Sequence, residues 1–482
     1  MRYAHAVETV RAAEGALMAR LPEGALMQRA AAGLAAACRD LLGRSYGARV
    51  VVLAGSGDNG GDALYAGARL AGRGAAVTAV LLAPERAHRG GLAALLAAGG
   101  RVADEDRAAA LIGRADLVLD GIVGIGGKGG LRPAAVPLAE AARESRAAVV
   151  VAVDLPSGVD ADTGEVLGDA VHADATVTFG TYKPGLLVDP AATLAGAPRL
   201  IDIGLGPYLA DPQLEALQNA DVAALLPRPE GSSDKYRRGV VGIAAGSERY
   251  PGAAVLAVSG ALRGGAGAVR YAGPGGDAVL ARHPEVLVSA GAPAGAGRVQ
   301  AWVVGPGLGD SADARRAVAD VLASSVPVLV DADGLRLLSP EAVRGRDAPT
   351  LLTPHAGEAA ALLGRSREEV EARRLDAVRG LAARYGATVL LKGATTLVAA
   401  PSPRTAVRVN PTGTPWLATA GSGDVLSGVT GSLLAAGLSP LDAASCGAYL
   451  HGLAARLSAH GAPVSALDVA EALPTAWGSL FS

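Results

Sequence analysis

The chain has 482 residues, with 44 basic and 46 acidic side chains and a formal net charge of −2. Half of it is hydrophobic but only 3% is aromatic, and there are 66 glycines. This predicts two or three domains with cores of Ala, Val and Leu, and excludes both a stapled miniature and a disordered chain. Like charges form no block, so nothing argues for a nucleic-acid or membrane-surface partner.

Cys38 and Cys446 each sit in an Ala-rich apolar stretch and read as small buried hydrophobes, which fits a reducing compartment. From Met1 to Arg20, charges at Glu8, Arg11, Glu14 and Arg20 break every apolar step, so no signal-peptide core forms. No stretch of about 18 apolar residues is free of charge or turn residues. A cytoplasmic protein is expected. Only four of the basic residues are lysine: Lys128, Lys183, Lys235 and Lys392, all beside Gly, Pro or Asp. A chain that uses Arg as its general cation keeps Lys where a compact, flexible ammonium is needed, or by chance at the surface.

In chain order, Arg49–Ala54, Val77–Leu82, Leu117–Asp120, Val149–Asp154 and Thr176–Phe179 read as strands, separated by helical segments. The alternation predicts a parallel sheet covered by helices on both faces. Between Pro207 and Pro229 the pattern breaks, which places the boundary: one domain over 1–211, a linker over 212–232 and a second domain over 233–482. The second half restarts with strands Gly239–Ala245, Ala301–Val304, Val326–Asp331, Thr350–Thr353 and Thr388–Lys392, with helices Asp313–Ser324 and Arg367–Tyr385 between them. Two tandem α/β domains are the expected fold class.

The first strand runs into Gly55-Ser56-Gly57-Asp58-Asn59-Gly60-Gly61-Asp62, whose leading six residues match G-x-G-x-x-G. Such glycines let amides at a helix start approach a pyrophosphate, but the acidic residue of a dinucleotide fingerprint is missing after the next strand. Asp58, Asn59 and Asp62 add hard oxygens suited to a cation, to ribose hydroxyls or to an Asx turn. Asp120 leads into a second glycine loop, Gly121 to Gly130, in which Lys128 is a phosphate candidate, and Asp154 leads into Leu155-Pro156-Ser157-Gly158. The carboxyl ends of parallel strands face one crevice, so Asn59, Asp120, Asp154 and Ser157 are expected to converge.

Together with Thr178-Phe179-Gly180-Thr181-Tyr182-Lys183-Pro184-Gly185, these segments make residues 1 to 210 resemble the NAD(P)H-hydrate epimerase domain. The resemblance implies a Rossmann-like α/β/α fold that interconverts the R and S epimers of nicotinamide cofactor hydrated at C6. It also implies a potassium ion on Asn59, Asp120 and Ser157 and substrate contacts from Asp58, Asn59, Gly60, Gly61 and Asp62. Further contacts come from Gly124, Ile125, Gly126, Gly127, Lys128, Gly129 and Gly130, and Asp154 becomes the acid/base and substrate-contacting residue. Asp58 stands where the family more often has Asn. The residues by themselves leave Asp154 two roles, acid/base group or ribose anchor.

In the second half, Asn410-Pro411-Thr412-Gly413-Thr414-Pro415-Trp416-Leu417 leads to Ala420-Gly421-Ser422-Gly423-Asp424 and an apolar helix expected over Val425–Ala436. Free amides at such a start stabilise developing anionic oxygen, and Asp424 can take a proton from a hydroxyl. An ordinary N-cap would not need the flanking glycines. This helix start resembles that of ribokinase-like kinases. With Ser247–Ala254, Gly305–Gly309, Asp331–Leu335, Thr353–Glu358 and Lys392–Thr396, the region 220–482 resembles the ADP-dependent NAD(P)H-hydrate dehydratase domain.

That resemblance implies a ribokinase-like α/β domain in which Ala253, Gly307, His355 and Asp424 contact the hydrated cofactor. Lys392, Gly393, Ala394, Thr395, Thr396 and Gly423 contact the adenine nucleotide, with Mg²⁺ on the diphosphate, and Asp424 is catalytic. His355 also fits a satisfied strand-end histidine. Asp234-Lys235-Tyr236 replaces a more usual His-Lys-Gly, and Thr414-Pro415-Trp416 an Asn-Pro-Gly, which sets a bulky ring near the anion hole. The whole chain then reads as a bifunctional repair enzyme, expected as a homo-oligomer, that epimerises hydrated NAD(P)H and dehydrates the S form with ADP, releasing AMP and phosphate. The alternatives are a small-molecule kinase fused to a nucleotide-binding module, or a first domain that only binds.

Overall fold

The computed structural model describes residues 1–289 and 291–481. The chain divides into two compact units, one of Tyr3–Leu214 and one of Glu215–Ser482 with Met1–Arg2.

In the first unit, β-branched runs form strands β1 (Arg49–Ala54), β2 (Ala76–Leu81), β3 (Arg101–Ala103), β4 (Leu117–Gly121), β5 (Val149–Val153), β6 (Ala175–Phe179) and β7 (Ala197–Ile201). They pair in parallel in the order β3-β2-β1-β4-β5-β6-β7. Side chains alternate across a strand, so Val50, Val52 and Ala54 enter one core and Val51 and Leu53 another. Both faces are therefore covered, as the uninterrupted apolar runs predict. The order reverses between β1 and β4, and an open parallel sheet forms its crevice at the carboxyl ends where that happens. The Gly55–Asp62 segment follows β1 and the Gly124–Gly130 loop follows β4, so both stand at this point.

The second unit holds β8 (Val240–Ala244), β9 (Ala268–Ala272), β10 (Leu287–Ser289), β11 (Ala301–Val304), β12 (Val328–Val330), β13 (Thr350–Leu352), β14 (Thr388–Leu391), β15 (Thr396–Ala399) and β16 (Val407–Asn410). Their order is β16-β15-β14-β13-β12-β11-β8-β9-β10. Strands β8 to β14 are parallel, but β15 and β16 run antiparallel as a hairpin, which the sequence reading did not foresee. Asp331 directly follows β12 and Lys392 directly follows β14, so both reach the carboxyl rim.

Helices Pro251–Arg263 and Ser422–Ala435 cross this unit side by side. A Cβ on Gly428 would strike the Ala257 carbonyl, and one on Gly260 the Val425 carbonyl, so the two backbones touch where only glycine fits. Leu256 meets Gly421 and Gly264 meets Ser432, so the helices run parallel and bring both N-termini to the same rim.

Two expectations are corrected. The helix expected from Val425 begins at Ser422, because Gly421 enters it at φ 84°. This brings Gly423 into the first turn, where N–H groups lack intrahelical acceptors, while Asp424 N donates to the Gly421 carbonyl at 3.1 Å. The helix expected over Arg367–Tyr385 is two helices, Arg367–Ala372 and Arg374–Tyr385, broken at Arg373. The break turns Arg374 inward, where its guanidinium donates to the carbonyls of Lys392 and Thr395, both at 3.1 Å. Of the two readings of the scarce lysines, chance at the surface does not describe Lys183, which is 1% exposed. Within the segment 212–232, Leu217, Val222 and Leu226 join the core of the second unit. Cys38 and Cys446 are buried free thiols, with burial pushing each up to about 12. Among the described residues no helix is long and apolar enough to cross a membrane.

Candidate functional site

The first unit opens a cavity of about 1700 Å³ at its sheet's switch point, beyond the roughly 300–1,000 Å³ that suits a drug-sized ligand. Asp58, Asn59, Asp62, Asp154 and the whole Gly124–Gly130 loop line it. Gly60 and Gly61 do not. A Cβ on Gly60 would strike the Gly55 carbonyl and one on Gly61 the His88 ring, so these two pack the loop against its surroundings.

Asp154 leaves β5 with φ 67°, a conformation that costs a non-glycine residue about 1–3 kcal/mol and persists only when its surroundings dictate it. Here they do. Its Oδ1 accepts from Thr178 Oγ1 at 2.9 Å, Phe179 N at 3.3 Å and Lys183 Nζ at 2.5 Å. Lys183 also donates to Thr178 Oγ1 and to the Phe179 carbonyl, each at 3.0 Å. Its three ammonium protons are thus all placed, while Asp154 Oδ2 has no donor among the described residues. The result is a carboxylate with one oxygen saturated by protein and the other left for a ligand.

Beside it, Asp62 Oδ1 and Asn59 Nδ2 are buried without hydrogen-bond partners. A buried polar atom left so awaits a partner. Burial first, then the negative charges of Asp154, Asp58 and Glu14, push the Asp62 carboxyl well above the usual range. Asp120 is fully buried behind the cavity wall. Its Oδ1 accepts from Ser157 Oγ at 2.6 Å and its Oδ2 from Ser157 N at 2.8 Å, and Asn59 packs against Gly124 nearby. Burial raises Asp120 to about 6 although these hydrogen bonds oppose the rise. The four residues expected to converge do so in two layers: Asn59 and Asp154 at the cavity, where Asp62 joins them, with Asp120 and Ser157 beneath.

In the second unit, Asp331 Oδ1 accepts from Lys392 Nζ at 2.7 Å and its Oδ2 from Ser427 Oγ at 2.7 Å. Glu358 lies 3.7 Å from the same ammonium. Burial works against the charge on Lys392, but Asp331, Glu358 and Asp424 outweigh it and hold its pKa up. A Cβ on Gly423 would come within 3.5 Å of Lys392 Nζ, so the anion-hole turn and this ammonium face one space. Asp424 is raised to about 7, chiefly by burial and then by Asp331, with Lys392 opposing.

Ala253 and Gly307 pack against each other at the start of the Pro251–Arg263 helix. His355 is the N-cap of helix Ala356–Leu363: its Nδ1 accepts from Gly357 N at 3.0 Å and Glu358 N at 3.2 Å, so the structural reading of this residue holds whatever else it touches. The Lys392–Thr396 loop is shaped by Arg374, and Gly393 abuts that guanidinium. Sequence reasoning gave no role to Lys183, Asp331 or Arg374. The scarcity of lysine was the one signal that pointed toward the first.

These features define a two-unit α/β enzyme with a large cavity at the sheet's switch point in one half and a glycine-led helix start facing a buried Asp–Lys pair in the other. The family described as NAD(P)H-hydrate dehydratase matches residues 241–475, and that described as YjeF-related protein N-terminus matches residues 23–185. The chain is 50% identical over 466 residues to the bifunctional NAD(P)H-hydrate repair enzyme of Mycobacterium leprae, covering 95% of this chain and 94% of that one. It is 38% identical over 453 residues to the enzyme of the same name from Moorella thermoacetica, covering 86% and 84%. The chain belongs to the family of bifunctional NAD(P)H-hydrate repair enzymes. The second unit is also similar to the ADP/ATP-dependent NAD(P)H-hydrate dehydratase of Bacillus subtilis co-crystallised with ATP and Mg²⁺, at 30% identity and a TM-score of 0.51, over 55% of this chain and 97% of that one. A ribokinase-like superfamily protein from Enterococcus faecalis, 24% identical with a TM-score of 0.50, shares the fold.

Two outcomes follow from the charges. Lys183→Met strips the counter-charge from buried Asp154 and lowers stability by about 3–5 kcal/mol, and adding Asp154→Asn restores most of it. Denaturant melts of the two variants check this, and equal losses in both would refute the pairing. If Asp424 is the dehydratase base, its half-ionisation at about 7 makes kcat/KM rise with pH through that value and level off above it. Lys392 lowers Asp424, so Lys392→Met moves that limb upward, and a profile that stays in place counts against Asp424 as the base.

Proposed function

We propose that both units act in turn on hydrated NAD(P)H. What supports the reading in the first unit is the open Oδ2 of Asp154 in a cavity bounded by two glycine-rich loops. That oxygen takes the proton of the C6 hydroxyl, the freed electron pair forms a C6 carbonyl as the C6–N1 bond breaks and N1 takes a proton, and the reverse steps on either face of the carbonyl close the ring in either configuration. Asp62, whose carboxyl burial pushes well above the usual range, lines the same cavity and is assigned the part of complementary donor, since environments that separate two carboxyls assign them opposite roles. Phosphates of the substrate meet the amides of Gly124–Gly130 and Lys128.

Potassium is proposed on Asn59, Asp120 and Ser157. The donor set fits a hard monovalent cation, because it is all oxygen and centres on one buried carboxylate with no cationic partner. The ion would supply a fixed positive charge beneath the glycine loop. The chain's own part is to hold Asp120 with Ser157 and to brace Val123, whose N–H donates to Ser157 Oγ at 2.9 Å.

In the second unit Asp424 takes the proton of the C6 hydroxyl, and the oxygen attacks the terminal phosphoryl of ADP, releasing AMP. The ring-nitrogen lone pair then expels phosphate from C6, and loss of a C5 proton restores NAD(P)H. Lys392 and the Gly423 amide face the phosphoryl oxygens, with Mg²⁺ arriving on the diphosphate and neutralising part of its charge. Phosphorylation converts hydroxide, a poor leaving group, into a good one.

The full-length protein, given the R epimer with ADP and Mg²⁺, is expected to return reduced cofactor with AMP and phosphate. Asp154→Ala slows use of the R epimer by about 10²- to 10⁴-fold and leaves the S epimer unaffected, whereas Asp424→Ala abolishes AMP release and spares epimerisation. A wild-type rate in either variant overturns the role assigned to that residue. Exchanging potassium for lithium is expected to cut epimerisation about 10- to 100-fold, with Ser157→Val removing the difference between the two ions. Equal rates in both salts would argue against the cation site.

A further inference from the structure

The second unit carries an aromatic ring that the chemistry above does not use. Trp416 is 42% exposed, whereas Trp302 is buried. A single exposed apolar side chain is ordinary, so the mounting of this one matters more than its exposure. Trp416 lies in the short turn Pro415–Leu417, and the loop that carries it is fixed at three places. Gly413 rests on the backbone of Gly393 and Ala394 so closely that a Cβ would strike the Ala394 carbonyl. Arg456 donates to the carbonyls of Thr412 at 2.6 Å, Pro411 at 2.9 Å and Gly413 at 3.1 Å. From the first turn of the anion-hole helix, Ser422 Oγ donates to the Leu417 carbonyl at 2.7 Å.

The loop therefore bridges the Lys392–Thr396 segment and the Gly421–Asp424 turn, and the Trp416 indole is the large apolar side chain it leaves exposed. Five steps of chain separate Trp416 from Gly421, which limits their separation to about 18 Å even if fully extended. A nucleoside diphosphate with its terminal phosphoryl at Gly423 has a base within that reach.

We infer that the Trp416 indole is a stacking platform for the adenine ring of the nucleoside diphosphate that the second unit consumes. The inference rests on the dehydratase reading given above. A rigid indole offers a large apolar face at little entropic cost, and stacking needs no hydrogen-bond readout from the base.

Titration of the full-length protein with ADP and with pyrophosphate, which has the phosphates but no base, tests this. ADP is expected to perturb the indole emission in the wild type but not in Trp416→Phe, and pyrophosphate to perturb it in neither. Trp416→Gly weakens ADP binding by about 5- to 150-fold and leaves pyrophosphate binding unchanged, while Trp416→Phe recovers most of the loss. ADP held equally by wild type and Trp416→Gly, or an equal loss for ADP and pyrophosphate, overturns the inference alone. A wild-type chain that binds no ADP overturns the dehydratase reading and the inference with it.

Discussion

A buried aspartate paired with one of only four lysines stands at the carboxyl rim of each sheet: Asp154 with Lys183, and Asp331 with Lys392. Taking both charges out of water is expensive, and the attraction offsets that cost only when the remaining donors and acceptors are also satisfied. Lys183 meets this condition through Thr178 and the Phe179 carbonyl. Its compact ammonium points three donors at three oxygens in a space with no solvent, where the wide planar fork of arginine would not fit. The pair also holds Asp154 in its left-handed backbone conformation, so charge balance and site geometry are one constraint.

The same constraint gives the two carboxyls proposed to react, Asp154 and Asp424, different surroundings. Asp154 touches its ammonium directly and keeps one oxygen free. Asp424 has no such partner: burial and the nearby Asp331 raise it to about 7. A group near neutrality can accept a proton from a hydroxyl and release it again without a large thermodynamic penalty, which suits a base that turns over with each phosphoryl transfer. Asp331 has a double part in this, because it anchors the Lys392 ammonium and supplies part of the negative charge that raises Asp424.

Five strands of each unit and their order of appearance were legible because β-branched runs buried on both faces carry a strong signal, and Arg49–Ala54 and Ala301–Val304 fall at the expected bounds, whereas Arg101–Ala103, Ala197–Ile201, Ala268–Ala272 and Leu287–Ser289 were not read as strands. The glycine loops were legible because close backbone approach restricts residue choice, as at Gly60 against Gly55. What stayed hidden depends on partners distant in sequence. Thr396–Ala399 and Val407–Asn410 are too short to declare an antiparallel hairpin. The break at Arg373 has no proline or glycine to announce it and follows from the inward turn of Arg374 onto the Lys392–Thr396 loop. Lys183 lay within a segment already singled out, but its pairing with Asp154, 29 positions away, is a tertiary fact.

Two sites in one chain answer a stereochemical difficulty. Hydration at C6 creates a stereocentre, and a pocket built around a fixed base, a fixed ammonium and a fixed helix N-terminus can bring the hydroxyl of only one epimer to Asp424. The other epimer would accumulate unless a second site returned it to the pool. A single polypeptide supplies both sites in equal number, and exchange of epimers through solution is enough to couple them. The demands on the two halves then separate. The first needs a proton-exchanging oxygen in a roomy cavity and gains nothing from distinguishing the faces of C6, whereas the second needs a rigid, one-handed alignment of hydroxyl, base and phosphoryl. The free Oδ2 of Asp154 in its open cavity and the glycine-locked helix pair behind Asp424 match those separate demands.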